Sequence, residues 1–280
     1  FQEKYRLNYS ETELVDDVEK IKNPIIRECL KFLEIDDRLY ISTIADAPAS
    51  TGLGSSSTFC VGLLNVLYKY KGETVSPGRL AEEAAQIECN FLNRPMGKQD
   101  HYAAAYGGIN YIRFFDDESV TIKPLNMISK NINKFSDSIM VFWTGITRSS
   151  ESVLKEQDDN NRFNENILNK MKDQAKELSK ILIEPKLSIK NVGEVLNQGW
   201  EYKKTLSSNI SNQKINDWYA TAIKHGAFGG KISGAGGGGF LTFIVEPSYQ
   251  EQLSNILQKF GLKRYRFGID SSGTTVTEIG

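Results

Sequence analysis

Five glycines fall within the six residues 234–239 of "KISGAGGGGFLTFIV", directly ahead of an apolar, β-branched run. Ordering that much glycine backbone carries a heavy entropic cost. Such a run persists where backbone must approach backbone or a ligand, or else as a flexible surface loop, and the apolar strand behind it favours the first reading. Gly234, Gly236 and Gly239 match GxGxxG as text. The dinucleotide fingerprint must open a helix, however, whereas "GFLTFIVEP" reads as a strand.

A second glycine loop, "STGLGSSS" (50–57), leads into "TFCVGLLNVLYKY", and residues 56–70 read as a helix. The first amides of a helix lack intrahelical acceptors and sit at the positive end of its dipole. Gly52 and Gly54 let an anion approach the backbone, while Ser55, Ser56 and Ser57 can cap the helix, donate to phosphate oxygens or ligate magnesium. No window supplies the GxxxxGK[ST] of a P-loop. An ordinary serine-capped helix after a turn is the competing reading.

Between the two loops, Glu88 lies in a predicted helix over 76–93 whose Leu80, Ala84, Ile87 and Phe91 share a face. Pro95 and Gly97 should end that helix, leaving Lys98, Gln99 and Asp100 to open "DHYAAAY". An isolated Asp there reads as an N-cap. Phosphoryl transfer, though, needs a carboxylate near the attacking hydroxyl and an oxygen ligand for magnesium, and Glu88 and Asp100 are suitable in kind. Lys98 would favour the ionised form of Asp100. His101 reads as a structural histidine, and His225 has no visible partner.

The rest of the chain narrows the class. Its 280 residues carry a net charge of −1, with 25% charged residues, so it presents no basic footprint for nucleic acid or an anionic membrane. The longest apolar runs, "SIMVFW" and "FLTFIV", fall far short of a bilayer span, and no segment has signal-peptide order. Cys29, Cys60 and Cys89 are widely spaced, which argues against a disulfide framework and reads as buried thiols in a reducing cytoplasm. Strands are expected over 1–10, 39–46, 107–115, 119–125, 138–145, 239–246 and 264–277. Helices are expected over 23–33, 56–70, 76–93 and 248–260 and through most of 150–224, where Phe163, Ile167, Met171, Ala175, Leu178 and Leu182 form a core seam. The whole is an α+β chain of two lobes, 1–136 and 137–280.

Taken in order, "PASTGLGSSS", "ECNFLNRPMGKQD" and "KISGAGGGG" resemble the GHMP kinases, the superfamily of galactokinase, homoserine kinase, mevalonate kinase and phosphomevalonate kinase. "GLGSSSTFCVGLLNVLY", "GKQDHYAAAYGGINYIRF" and "FWTGITRSS" look most like its D-glycero-D-manno-heptose 7-phosphate kinases. The resemblance implies a two-lobed GHMP kinase fold, with an N-terminal lobe like ribosomal protein S5 domain 2 and a ferredoxin-like C-terminal lobe. It implies ATP and Mg2+, with Gly52, Leu53, Gly54, Ser55, Ser56 and Ser57 around the phosphates and Ser56 and Glu88 on the metal. Asp100 and Lys98 would be the catalytic pair. Asp100, Thr144, Arg148, Gly234, Gly236 and Gly237 would line the substrate.

The implied reaction phosphorylates the anomeric C1 hydroxyl of a heptose 7-phosphate. The alternatives are a kinase for fucose, mannose or galactose, or a regulator that binds sugar and nucleotide without turnover. Partners would be ATP and a sugar or sugar phosphate, with no nucleic acid and no membrane; monomer and homodimer both stay open. The chain starts at Phe1 and does not contain the family's first motif, so the first strands of the N-terminal lobe are expected to precede it.

Overall fold

A computed structural model describes residues 4–46, 52–147, 153–154, 156 and 161–279, with side chains from 164 onward in the last segment. Arg148, Ser50, Thr51 and the Phe163 side chain lie outside the described residues. The chain divides into two units: Phe1–Ala49, Gly54–Gly108 and Asp270–Gly280 in one, Ser50–Leu53 and Ile109–Ile269 in the other.

In the first unit β1 (Tyr5–Asn8) pairs antiparallel with β2 (Thr12–Val15) and parallel with β3 (Tyr40–Ser42). The strands predicted over 1–10 and 39–46 are therefore shorter than expected, and β2 was not anticipated. Helix α1 (Pro24–Phe32) starts where the Asn23 side chain accepts from the Ile25 and Ile26 amides, with Pro24 preset for the first turn. It buries Ile26, Cys29 and Leu30. Helix α2 (Ser55–Tyr70) buries Cys60, Val61, Leu64 and Leu67. The Cys29 and Cys60 sulfurs meet at 3.8 Å as free thiols, and burial pushes the Cys29 thiol up.

Helix α3 (Pro77–Ala85) is capped by Ser76, whose hydroxyl accepts from the Arg79 amide at 3.2 Å. It does not run on as one α-helix to 93, because residues Gln86–Phe91 form a π-helical segment. Leu80, Ala84 and Ile87 are buried as the spacing predicts, but the wide turn leaves Phe91 half exposed. Helix α4 (Gln99–Tyr106) follows. The tail 270–279 returns to this unit, where the Gly108 amide donates to the Asp270 carbonyl at 2.6 Å and Asn65 donates to Thr274 at 3.1 Å. The strand expected over 264–277 is thus reduced to three residues.

The second unit opens with the hairpin β4 (Asn110–Phe114) and β5 (Val120–Pro124), closed around the expected "DDE" turn. Helix α5 (Ser129–Ser138), strand β6 (Ile139–Trp143) and helices α6 (Asn161–Leu182), α7 (Ile189–Lys204) and α8 (Gln213–Lys224) follow. Then come β7 (Ala227–Ile232), β8 (Phe240–Val245), α9 (Pro247–Lys259) and β9 (Lys263–Tyr265). The sheet runs β7-β8-β6-β9 with every pair antiparallel. Helices between β6 and β7 and again between β8 and β9 make this the split βαβ order of a ferredoxin-like lobe. Met140, Phe142, Trp200, Trp218, Tyr219 and Phe243 fill one core. In the α6 seam Ala175 is exposed and Gln174 turns inward instead, donating to Gln198 at 3.1 Å. Among the described residues, no helix is long and apolar enough to cross a membrane.

Candidate active site

Helix α2 is entered through Gly54, whose φ of +70° is left-handed, and no side chain caps the first turn. The serines therefore do not act as caps. The Gly54 carbonyl accepts from the Thr58 amide at 2.9 Å, so the amides of Ser55, Ser56 and Ser57 point out of a 16-residue helix at its positive end. A terminus of this kind is suited to phosphate. Ser57 is fully buried, and its hydroxyl has no partner among the described residues. Ser55 and Ser56 are partly exposed.

Asp100 and Glu88 converge on this terminus from separate elements. A Cβ added to Gly54 would lie 3.0 Å from the Asp100 Cγ, so the carboxyl group rests directly against the helix entry. Asp100 is in the first turn of α4 and is not its N-cap, a position that Lys98 takes. Glu88 is presented by the π segment and is completely buried. The Ser56 hydroxyl and an Arg94 guanidinium nitrogen both donate to its Oε1, and the His101 Nε2 lies 2.9 Å from its Oε2. Burial by itself would raise the Glu88 pKa, but the bonds from His101 and Ser56 and the charge of Arg94 outweigh it and bring the carboxyl below its ordinary value.

The loop at 50–57 carries no lysine, and its cation comes instead from Arg94, whose Nη1 donates to Ser56 Oγ at 2.7 Å. Ser56 Oγ and Glu88 Oε1 are hard oxygen donors in mutual contact, and a positive nitrogen is seated on both. That chemistry fits magnesium, which takes one or two carboxylates and completes its shell with phosphate oxygens and water. Lys98 forms an ion pair with Glu82 at 2.8 Å, and the Tyr102 hydroxyl donates to the other Glu82 oxygen at 2.6 Å.

In the second unit Gly52 and Gly234 meet backbone to backbone. A Cβ at Gly52 would lie 2.7 Å from the Ser233 carbonyl oxygen, and one at Gly234 would lie 2.6 Å from the Gly52 Cα. Leu53 is exposed beside them. Gly236 and Gly237 are buried under Ile210, whose carbonyl accepts from the Gly237 amide at 2.6 Å. Thr144 is also buried, with its hydroxyl donating to the Gly239 carbonyl at 2.7 Å. Backbone approach therefore accounts for the glycine run at Gly234, Gly236 and Gly237.

Sequence reasoning missed the parts played by His101 and Arg94 around Glu88. Neither spacing, 13 residues for His101 and six for Arg94, is a helical one.

The match to known proteins covers both units. Residues 5–108 match the GHMP kinases N terminal domain and residues 178–263 the GHMP kinases C terminal domain. The chain is 29% identical over 221 residues to D-glycero-alpha-D-manno-heptose 7-phosphate kinase of Campylobacter jejuni, across 78% of this chain and 65% of that one. It is 25% identical over 226 residues to L-fucokinase/L-fucose-1-P guanylyltransferase of Bacteroides fragilis, across 78% of this chain and 23% of that one. It thus spans less than two thirds of either relative. A crystal structure of a D-glycero-D-manno-heptose 1-phosphate kinase from Bacteroides thetaiotaomicron has the same fold, with a TM-score of 0.77 at 23% identity over 99% of this chain and 84% of that one.

Proposed function

Since the chain belongs to the GHMP kinases, we propose that it transfers the γ-phosphoryl group of ATP to the anomeric C1 hydroxyl of D-glycero-D-manno-heptose 7-phosphate, giving the 1,7-bisphosphate. The reading rests on one observation above all: Ser56, Glu88 and Asp100 gather at the uncapped N-terminus of α2.

In this reading the amides of Ser55, Ser56 and Ser57, with Gly52, Leu53 and Gly54 ahead of them, bind the ATP phosphates. Ser56 and Glu88 hold Mg2+, which neutralises charge on the transferring group. Asp100 orients the sugar hydroxyl and accepts its proton as the oxygen–phosphorus bond forms and the bond to the ADP oxygen breaks. An anomeric hydroxyl is more acidic than an ordinary alcohol, so an ordinary carboxylate suffices as base. Lys98 works beside Asp100 at the start of α4. Thr144, Arg148, Gly234, Gly236 and Gly237 shape the sugar side. The cytoplasm as site of action belongs to the same proposal and rests on three thiols read as reduced.

A kinase for an unphosphorylated sugar is the second reading, supported by the likeness to the Bacteroides fragilis fucokinase. ATP consumption against a panel of sugars and sugar phosphates separates the two. Preference for heptose 7-phosphate supports the first reading, and equal or better turnover of free fucose or galactose overturns it.

A further inference from the structure

Arg94 occupies the place that a metal would need. Its Nη1 donates both to Ser56 Oγ, at 2.7 Å, and to Glu88 Oε1, and those two oxygens are themselves hydrogen-bonded to each other. A magnesium ion bound to the same pair would sit about 2.1 Å from each oxygen. The guanidinium nitrogen and the ion would then occupy overlapping volumes and carry like charge. The Glu88 side chain is fully buried, so its charge is costly without a partner, whereas the Arg94 side chain is 27% exposed and has solvent to move into. Arg94 leaves the π segment through Asn93, whose φ of +49° ends the helical path, so its backbone lies on a connection and not on a helix.

We propose that Arg94 is a resident cation exchanged for the divalent metal: it neutralises Glu88 and holds Ser56 in place until the ion displaces it. The consequence is a metal site formed in advance, whose affinity for the bare ion is held down by an internal competitor. This rests on the reading of Ser56 and Glu88 as the oxygens that hold the metal.

The test measures Mn2+ alone, without nucleotide, by counting free ion in electron paramagnetic resonance spectra. Arg94→Gln should bind Mn2+ at least about tenfold more tightly than the unaltered protein, since removal of a nearby like charge favours the ion. Its thermal midpoint should be lower without metal and should rise further on adding Mn2+. Arg94→Lys, which keeps the charge with fewer donors, should shift in the same direction by less, and it carries the test if the glutamine variant does not fold. Glu88→Gln should abolish Mn2+ binding in both backgrounds. Unchanged or weaker Mn2+ affinity in Arg94→Gln, with Glu88→Gln still abolishing it, overturns the exchange and leaves the metal reading standing. No effect of Glu88→Gln overturns the metal reading and the exchange with it.

Discussion

The His101 ring nitrogen Nε2 lies 2.9 Å from Glu88 Oε2, and neither side chain has any exposed surface. An ionised carboxylate accepts, so the imidazole donates from Nε2, and its Nδ1 has no partner among the described residues. His101 therefore fixes the carboxylate from behind while Ser56 and Arg94 approach from the front. His101→Ala removes a donor from a buried charge and should cost about 1–3 kcal/mol of stability by denaturant unfolding. If Glu88 holds the metal as proposed, loss of the donor behind it should also lower activity by roughly 10–100-fold. His101→Gln should recover part of both losses.

Asp100→Asn keeps the shape of the side chain and removes its basicity. The rate of phosphoryl transfer should fall by roughly 10²–10⁴-fold. Nucleotide affinity should stay within a few-fold in equilibrium titration, because the amides of α2 are untouched. Full turnover would remove Asp100 from the chemistry.

Gly234 has a φ of +68° and touches the backbone of Gly52. Gly234→Ala must accept left-handed strain of about 1–2 kcal/mol in addition to the contact with Gly52. The expected outcome is a lower unfolding midpoint, measured by urea denaturation.

Glu13, on β2, accepts from the Lys22 amide at 2.7 Å, the Tyr9 hydroxyl at 2.8 Å and the Asn23 amide at 3.1 Å. Burial raises its pKa, but these bonds together bring it below the ordinary glutamate value. A depressed folded-state pKa means stability that is present above the unfolded value of about 4.3 and lost as pH falls through the folded one. Glu13→Gln should therefore lower the thermal midpoint clearly at pH 7. The gap to the unaltered protein should narrow on acidification below about pH 4.

Much of this arrangement was legible in the sequence where local chemistry and burial agree. Helix α2 and the β4–β5 hairpin follow directly from apolar spacing and turn residues. Strand β7 did not, because Gly229 and Gly230 are poor strand formers. They are needed because a Cβ at Gly229 would lie 1.9 Å from the Gly193 carbonyl oxygen of α7. Helix α5 was hidden by its polar sequence "SKNINKFSDS" and is held by tertiary bonds such as Asn131 to the Glu184 carbonyl at 2.8 Å. At the site, loop chemistry pointed to Ser55, Ser56 and Ser57 alike, and the needs of phosphoryl transfer to Glu88 and Asp100. The pairing of Ser56 with Glu88, by contrast, is what the family resemblance implies. The buried contacts of His101 and Arg94 required the π turn, which leaves no mark in a 3.6-residue pattern.

The central claim is that the α2 terminus with Glu88 and Asp100 phosphorylates a sugar phosphate at its anomeric oxygen. Phosphorus NMR of the protein with ATP, Mg2+ and D-glycero-D-manno-heptose 7-phosphate tests it most directly. The account predicts a new phosphate resonance coupled to the anomeric proton, growing in step with ADP and missing in Asp100→Asn. ATP left intact, or a product phosphorylated at any other carbon, would contradict it.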